Sequence, residues 1–188
     1  MRIISGSFKG KKILEPQDIK TRPLKDLTKE SIFNIINHSN KFKINLNNSI
    51  ILDLFSGVGS FGIECLSRDA KCVVFVELDN GVIPWLKKNL LHLKSIENFE
   101  VIEKDIYNSD LFSKLDKKFD IIFLDPPYKD KKIEEILLKI KNEKILNKKG
   151  IIIVHRHKND QDIIPKNFKI IEEKKYGISK IIFLSYLN

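Results

Sequence analysis

At 188 residues, with 42% hydrophobic and 31% charged residues, the chain has the size and balance of one well-packed domain. No apolar run approaches the roughly 20 residues of a membrane span, and the first ten residues lack the apolar core of a signal peptide. A soluble, cytoplasmic protein is expected. Two cysteines, Cys65 and Cys72, without C-x-x-C or H-E-x-x-H spacing, argue against a disulfide framework or a zinc site, and no metal is expected. The net charge of +9 is uneven: residues 1–50 hold ten Lys/Arg against four Asp/Glu, residues 51–188 hold 24 against 21. A basic arm on a nearly balanced body is a polyanion footprint, although a chain rich in Lys, Ile and Asn throughout acquires charge without a binding role as well.

Residues 1–25 read as an irregular arm. Gly6 and Gly10 flank Phe8 among basic residues, and Phe8 either pins the arm to the core or stacks on a nucleotide. From Lys25 to about Asn37, Leu27, Ile32, Phe33, Ile35 and Ile36 predict an amphipathic helix, with Thr28 or Asp26 as its cap. Residues 38–49 are polar and Asn-rich and read as a linker. Residues 1–45 are thus expected to form a basic extension and residues 46–188 the main domain. Strands are expected near 50–54, 72–77, 99–103, 120–125 and 150–154, and helices near 60–68, 80–93, 108–115 and 131–145. This alternation predicts an α/β parallel sheet with right-handed crossovers. Two further strand-like runs, 168–175 and 180–187, surround Tyr176-Gly177-Ile178-Ser179 and predict an edge hairpin, for seven strands in all.

The first strand runs into a glycine loop in which Gly57, Gly59 and Gly62 spell G-x-G-x-x-G before a helix, and Glu77 follows at the end of the second strand. A carboxylate there can bind ribose hydroxyls. Asp53, four residues before Gly57, would repel a pyrophosphate in a medium of reduced dielectric. An ammonium and a sulfonium suit it, which favours S-adenosylmethionine over a dinucleotide. Asp53 could otherwise cap the following loop. Asp105, after the third strand, can accept from an adenine amino group or cap a turn before Tyr107. Asp125-Pro126-Pro127-Tyr128 follows the fourth strand. Proline stiffens that backbone, so the Asp125 carboxylate and Pro126 carbonyl form a rigid acceptor pair beside the flat ring of Tyr128. The set suits a planar base with an exocyclic amine.

With Asp53-x-Phe55-x-Gly57-x-Gly59, Glu77, Asp105 and Asp125-Pro126-Pro127-Tyr128 in this order, the chain resembles class I S-adenosylmethionine-dependent amino-methyltransferases. Arg2-Ile3-Ile4-Ser5-Gly6-Ser7-Phe8-Lys9-Gly10, Arg22-Pro23 with Lys29-Glu30-Ser31-Ile32-Phe33-Asn34, and Leu66-Ser67-Arg68 look like the bacterial small-subunit rRNA guanine-N2 methyltransferases of the RsmD type. The resemblance implies a Rossmann-like fold with a seven-stranded, mostly parallel sheet and a C-terminal antiparallel hairpin. It implies cofactor contacts from Asp53, Phe55, Gly57, Gly59, Glu77, Asp105 and Ile106, and catalysis by Asp125, Pro126 and Tyr128. It further implies substrate contacts from Arg2, Lys9, Lys11, Lys12, Arg22 and Pro127, with 16S rRNA or an assembling small ribosomal subunit as partner of a monomeric enzyme. The chain departs from the family pattern at Leu24-Lys25, at Leu27, and at Val154-His155-Arg156-His157, where the family commonly shows a Glu. His155 is expected on a surface loop, with a side chain that faces the site as the other reading. A DNA adenine or cytosine amino-methyltransferase, a dinucleotide-dependent oxidoreductase and a non-catalytic RNA-binding protein are the other readings of these residues.

Overall fold

The inner strands are near-continuous apolar runs whose side chains point to alternate faces, so the sheet must be covered on both faces. The computed structural model describes residues 1–17, 24–93, 97–108 and 110–187. Its strands are β1 (Ile50–Leu54), β2 (Cys72–Glu77), β3 (Phe99–Glu103), β4 (Phe119–Leu124), β5 (Leu146–His157), β6 (Phe168–Tyr176) and β7 (Ser179–Tyr186). They form one sheet in the order β3-β2-β1-β4-β5-β7-β6. The first five are parallel to one another, and β7 runs antiparallel between β5 and β6. This is the fold expected of a class I methyltransferase, hairpin included.

Helices α1 (Asp26–His38), α2 (Ser60–Ser67), α3 (Ile83–Leu91) and α4 (Ile133–Asn142) complete the layers. Ile51, Val73, Phe75, Ile121, Phe123, Ile151 and Ile153 face one apolar cluster with α1, α2 and α3. Leu52, Leu54, Val74, Val76, Ile122, Leu124, Ile152 and Val154 face the other, where Ile133, Ile136, Leu137 and Ile140 of α4 pack at helical spacing. In the first cluster Phe33, Phe61 and Phe123 stack in series, with ring centroids 5.3 and 4.1 Å apart, which fixes α1 and α2 on the sheet.

Four local expectations need correction. The position before α1 is Lys25, which makes no side-chain cap. Asp26 instead stands in the first turn, where a carboxylate favours the helix dipole, and Thr28 is buried. The stretch 38–49 is more than a linker, because Phe42 and Leu46 enter the core and Phe42 stacks on Phe183 at 5.7 Å. Among the described residues, the region 108–115 holds only a 3-10 turn, Phe112–Lys114. Its buried residues, Leu111 and Phe112, are adjacent and give no helical stripe. Strand β5 is longer than 150–154 at both ends. Its polar residues 155–157 find ladder partners on β7, and Leu146 pairs with Phe119 ahead of a register shift.

The arm is docked and has a regular turn. Arg2 and Lys12 form an antiparallel bridge, and Ile3 and Ile13 are buried. Glu64 on α2, with no exposed surface, accepts hydrogen bonds from the backbone N–H groups of Ile4 (2.7 Å) and Ser5 (2.9 Å). It also pairs with Lys29 of α1 (3.5 Å) and Arg68 (2.9 Å). The fully buried Lys29 donates to the Arg2 carbonyl at 2.7 Å. Ser67 donates to the Ser5 carbonyl (2.6 Å) and accepts from the Phe8 N–H (3.0 Å). Phe8 is half-buried against the core cluster, with Lys11 over its ring at 4.6 Å, so it pins the arm. Removing the carboxylate strands the Lys29 cation and two amide donors in the interior. Glu64→Ala should therefore lower unfolding stability by about 3–5 kcal/mol, as read from urea denaturation.

Candidate active site

At the carboxyl ends of the parallel strands lies a cleft of about 540 Å³. Open α/β sheets hold ligands there, where the strand order reverses. Of the residues expected at the site, Asp53, Phe55, Gly57, Glu77, Asp125, Pro126, Pro127 and Tyr128 all line it. The glycine loop and the Asp-Pro-Pro-Tyr segment, 68 residues apart in sequence, thus face one space. They meet because β1 and β4 are neighbours, with Leu54 paired to Leu124.

The loop between β1 and α2 is conformationally unusual. Phe55 has φ 59°, a left-handed conformation that bulky side chains rarely adopt. Gly57 (φ 55°) is open on the side where a Cβ would project, with no atom within 4 Å. Gly59 (φ 87°) stands just before α2 and is not among the lining residues. At Gly62 a Cβ would lie 2.3 Å from the Phe75 ring, so this glycine serves helix-to-sheet packing.

The carboxylates are partly engaged. Asp53 is buried, and its Oδ2 accepts from the Gly62 N–H at 2.9 Å at the start of α2. Burial pushes its carboxyl well above the usual range. The Gly62 N–H opposes this, while the charges of Asp125 and Glu77 add to it. Glu77 accepts from the Gly57 N–H (2.7 Å) through one oxygen and from the Leu78 and Asp79 N–H groups (both 2.9 Å) through the other. Asp125 Oδ1 lies 2.7 Å from His155 Nδ1. Within a chain of net charge +9, the described residues that line the cleft include the carboxylate side chains of Asp53, Glu77, Asp79 and Asp125 against one cationic side chain, Lys129. Such a wall suits a cationic ligand and disfavours a pyrophosphate. Three buried side-chain polar atoms have no partner among the described residues, and two of them, Tyr128 Oη and His155 Nε2, belong to residues lining this cleft.

Other expected residues stand elsewhere. Asp105 is exposed, and its Oδ1 accepts from the Tyr107 N–H at 2.9 Å, the capping alternative. Ile106 is a core residue on the α4 side. Neither lines the cleft. Arg2, Lys9, Lys11 and Lys12 are exposed on the docked arm. Arg22 lies outside the described residues, as does Pro23. Met1 and Leu24, flanking the arm, form part of the cleft wall.

His155 corrects a sequence expectation. It belongs to β5, is 5% exposed and faces Asp125. Arg156 beside it is fully buried and had no motif to announce it. Its guanidinium pairs with Asp162 at 2.9 Å and donates to the Asp130 carbonyl at 2.6 Å, holding the chain just after the Asp-Pro-Pro-Tyr segment. Among the described residues, no group of His, Cys, Asp and Glu is arranged to hold a metal, and no helix is long and apolar enough to cross a membrane.

The raised carboxyl of Asp53 makes a pH-dependent prediction. Its native proton affinity exceeds the unfolded value, so its contribution to stability is intact below about pH 4 and is lost as pH rises through the native pKa. Asp53→Asn keeps an acceptor for Gly62 and cannot ionise. Its melting temperature should exceed the parent's at pH 8, and the difference should shrink to nothing near pH 4. Calorimetry across this range reads the result.

Residues 1–185 match the family model described as "Conserved hypothetical protein 95". The ribosomal RNA small subunit methyltransferase D of Haemophilus influenzae is 36% identical over 179 residues, 95% of this chain and 90% of that protein. Its namesake in Escherichia coli K12 is 31% identical over 181 residues, 94% of this chain and 85% of that protein. A solved structure of the Escherichia coli protein yhhF superposes with a TM-score of 0.81 at 27% identity, covering 99% of this chain and 97% of that one. With both signature segments on one cleft and end-to-end similarity, the chain belongs to the ribosomal RNA small subunit methyltransferase D family.

Proposed function

We propose that this chain transfers a methyl group from S-adenosylmethionine to the exocyclic amine, N2, of a guanine in small-subunit (16S) rRNA. The observation that carries this reading is the single acidic cleft that brings the glycine loop, Asp53 and Glu77 together with Asp125-Pro126-Pro127-Tyr128. The relatives' names, ribosomal RNA small subunit methyltransferase D, support the polymer.

The residues present fit the cofactor. Asp53 offers negative charge to an ammonium, Glu77 offers acceptors to ribose hydroxyls, and the open side of Gly57 admits a close backbone approach. When bound, S-adenosylmethionine supplies a methyl group on a sulfonium, a leaving group that departs with its bonding pair. The chain's own task is positioning. An aromatic amine is a poor nucleophile because its lone pair is delocalised into the ring. Asp125 and the Pro126 carbonyl accept its hydrogens and turn that lone pair toward the methyl carbon. Positive charge grows on the nitrogen as the N–C bond forms, and the Asp125 carboxylate stabilises it and takes the released proton. Tyr128 stacks on the base, a contact of roughly 1–3 kcal/mol. A paired base cannot reach such a cleft, so the target is unpaired or flipped out, as loop bases in RNA readily are. Arg2, Lys9, Lys11 and Lys12 lie on the arm whose ends wall the cleft and are available to phosphates.

Methyl transfer from labelled S-adenosylmethionine to unmethylated small subunits, naked rRNA and DNA, with identification of the product nucleoside, tests this reading. N2-methylguanosine in one of the RNA substrates is expected; label in DNA adenine or cytosine would overturn the substrate. Asp125→Ala should bind S-adenosylmethionine normally by calorimetry and turn over at least 100-fold more slowly, a loss of the size that misplaced reactants produce. Gly57→Val places a side chain where the backbone is now open, and should lose S-adenosylmethionine affinity while keeping its helical circular dichroism.

A further inference from the structure

The reading above assigns Asp125 but leaves open what holds its carboxylate. The pairing of β4 with β5, Leu124 opposite Val154, sets Asp125 beside His155 at the adjacent strand ends. His155 Nδ1 is 2.7 Å from Asp125 Oδ1 and is the one side-chain partner of that carboxylate among the described residues. The imidazole is itself immobilised. Its side chain is 7% exposed, and Tyr128 stands edge-on to it with ring centroids 6.4 Å apart.

A carboxylate only accepts, so the proton in this contact belongs to Nδ1. In the neutral ring that choice leaves Nε2 as an acceptor, buried and without a partner among the described residues. Oδ1 is then occupied by the imidazole, and Oδ2 is the oxygen left for an incoming amine.

We propose that His155 is a positioning residue for methyl transfer: its Nδ1–H holds the Asp125 carboxylate in one orientation, so that Oδ2 meets the amine. This rests on the function proposed above for its kinetic consequence, but the tautomer and the contact do not. Side-chain carboxylates on a strand end are otherwise free to rotate, and an acceptor displaced by about 1 Å can cost on the order of 100-fold in rate. His155 acts through Asp125, and the methyl transfer itself needs no proton from it.

Two measurements test the proposal. In the full chain, nitrogen-15 correlation spectra of the imidazoles should show His155 in the Nδ1–H tautomer, and Asp125→Ala should abolish that signal. The Nε2–H tautomer in the parent would overturn the proposal, whatever the enzyme's substrate proves to be. The second measurement is steady-state methyl transfer by His155→Leu and His155→Asn. Asparagine can present an amide N–H close to where Nδ1–H stands, and leucine cannot. His155→Leu should lose about 100-fold in kcat, with KM for RNA and calorimetric affinity for S-adenosylmethionine within threefold of the parent. His155→Asn should recover most of kcat. Equal loss in both variants, or no loss in His155→Leu, sinks the positioning role. Should the leucine variant fail to fold, the tautomer and the asparagine variant still decide. A parent that methylates no RNA at all refutes the function proposed above, and the tautomer result then stands separately.

Discussion

The parallel register of four adjacent strands is the constraint on which the site depends. Leu54 of β1 is paired with Val76 of β2 and Leu124 of β4, and Leu124 is paired with Val154 of β5. The next residue on each strand is therefore level with its neighbours: Glu77, Phe55, Asp125 and His155, in the spatial order of the sheet. All four line the cleft. Side chains on a pleated strand alternate faces, so a slip of one residue in any pair would turn its contribution away. The slip is resisted by burial on both faces of the sheet, where Leu52, Leu54, Ile122 and Leu124 on one side and Ile51, Ile121 and Phe123 on the other are each fully or almost fully covered.

A second web ties the basic arm to that frame. Glu64 accepts two arm amides and faces two cations, one from α1 and one at the end of α2. Burial pushes the Lys29 ammonium toward its neutral form, and Glu64 and Asp26 oppose that shift. Arg68 completes the web and lies over the Phe33 ring at 4.3 Å. Met1 and Leu24 are thus part of the wall of the cleft, and Lys9, Lys11 and Lys12 lie on a docked segment. A flexible basic tail would lose orientation entropy on binding a polyanion; a docked one has lost it on folding.

Charge is arranged oppositely at two scales. The surface is cationic overall, while the cleft is anionic and contains a buried carboxyl whose ionisation is disfavoured when no cation faces it. That cost is borne at the site where a cationic ligand would relieve it, a local conflict of the kind found at functional positions. Attraction of a polyanion to the outside and of a cation to the inside are then compatible within one small domain.

The α/β alternation, the seven strands, the glycine loop, the Asp-Pro-Pro-Tyr segment and the terminal hairpin were legible because each is a local pattern of apolar spacing, glycine or proline. Strand ends were less legible, as β5 shows: Leu146 pairs with Phe119 of β4 across a register irregularity, and His155-Arg156-His157 looks like a turn until β7 supplies ladder partners. Asp105 carried two readings from sequence, and the short loop to Tyr107 favours the cap because the backbone amide is the nearer donor. Arg156 and Glu64 were invisible as working residues, and the contact of His155 with Asp125 was too, since a charged or polar side chain shows its role only when burial denies it water and a distant segment supplies its partner. Sequence by itself determined which residues could form strands, loops and a rigid acceptor pair, because those depend on neighbours along the chain. Tertiary structure alone decided that Asp125 meets an imidazole, that Asp53 is buried, and that Met1 and Leu24 join the cleft wall, because each contact joins segments far apart in sequence or depends on the layers packed around it.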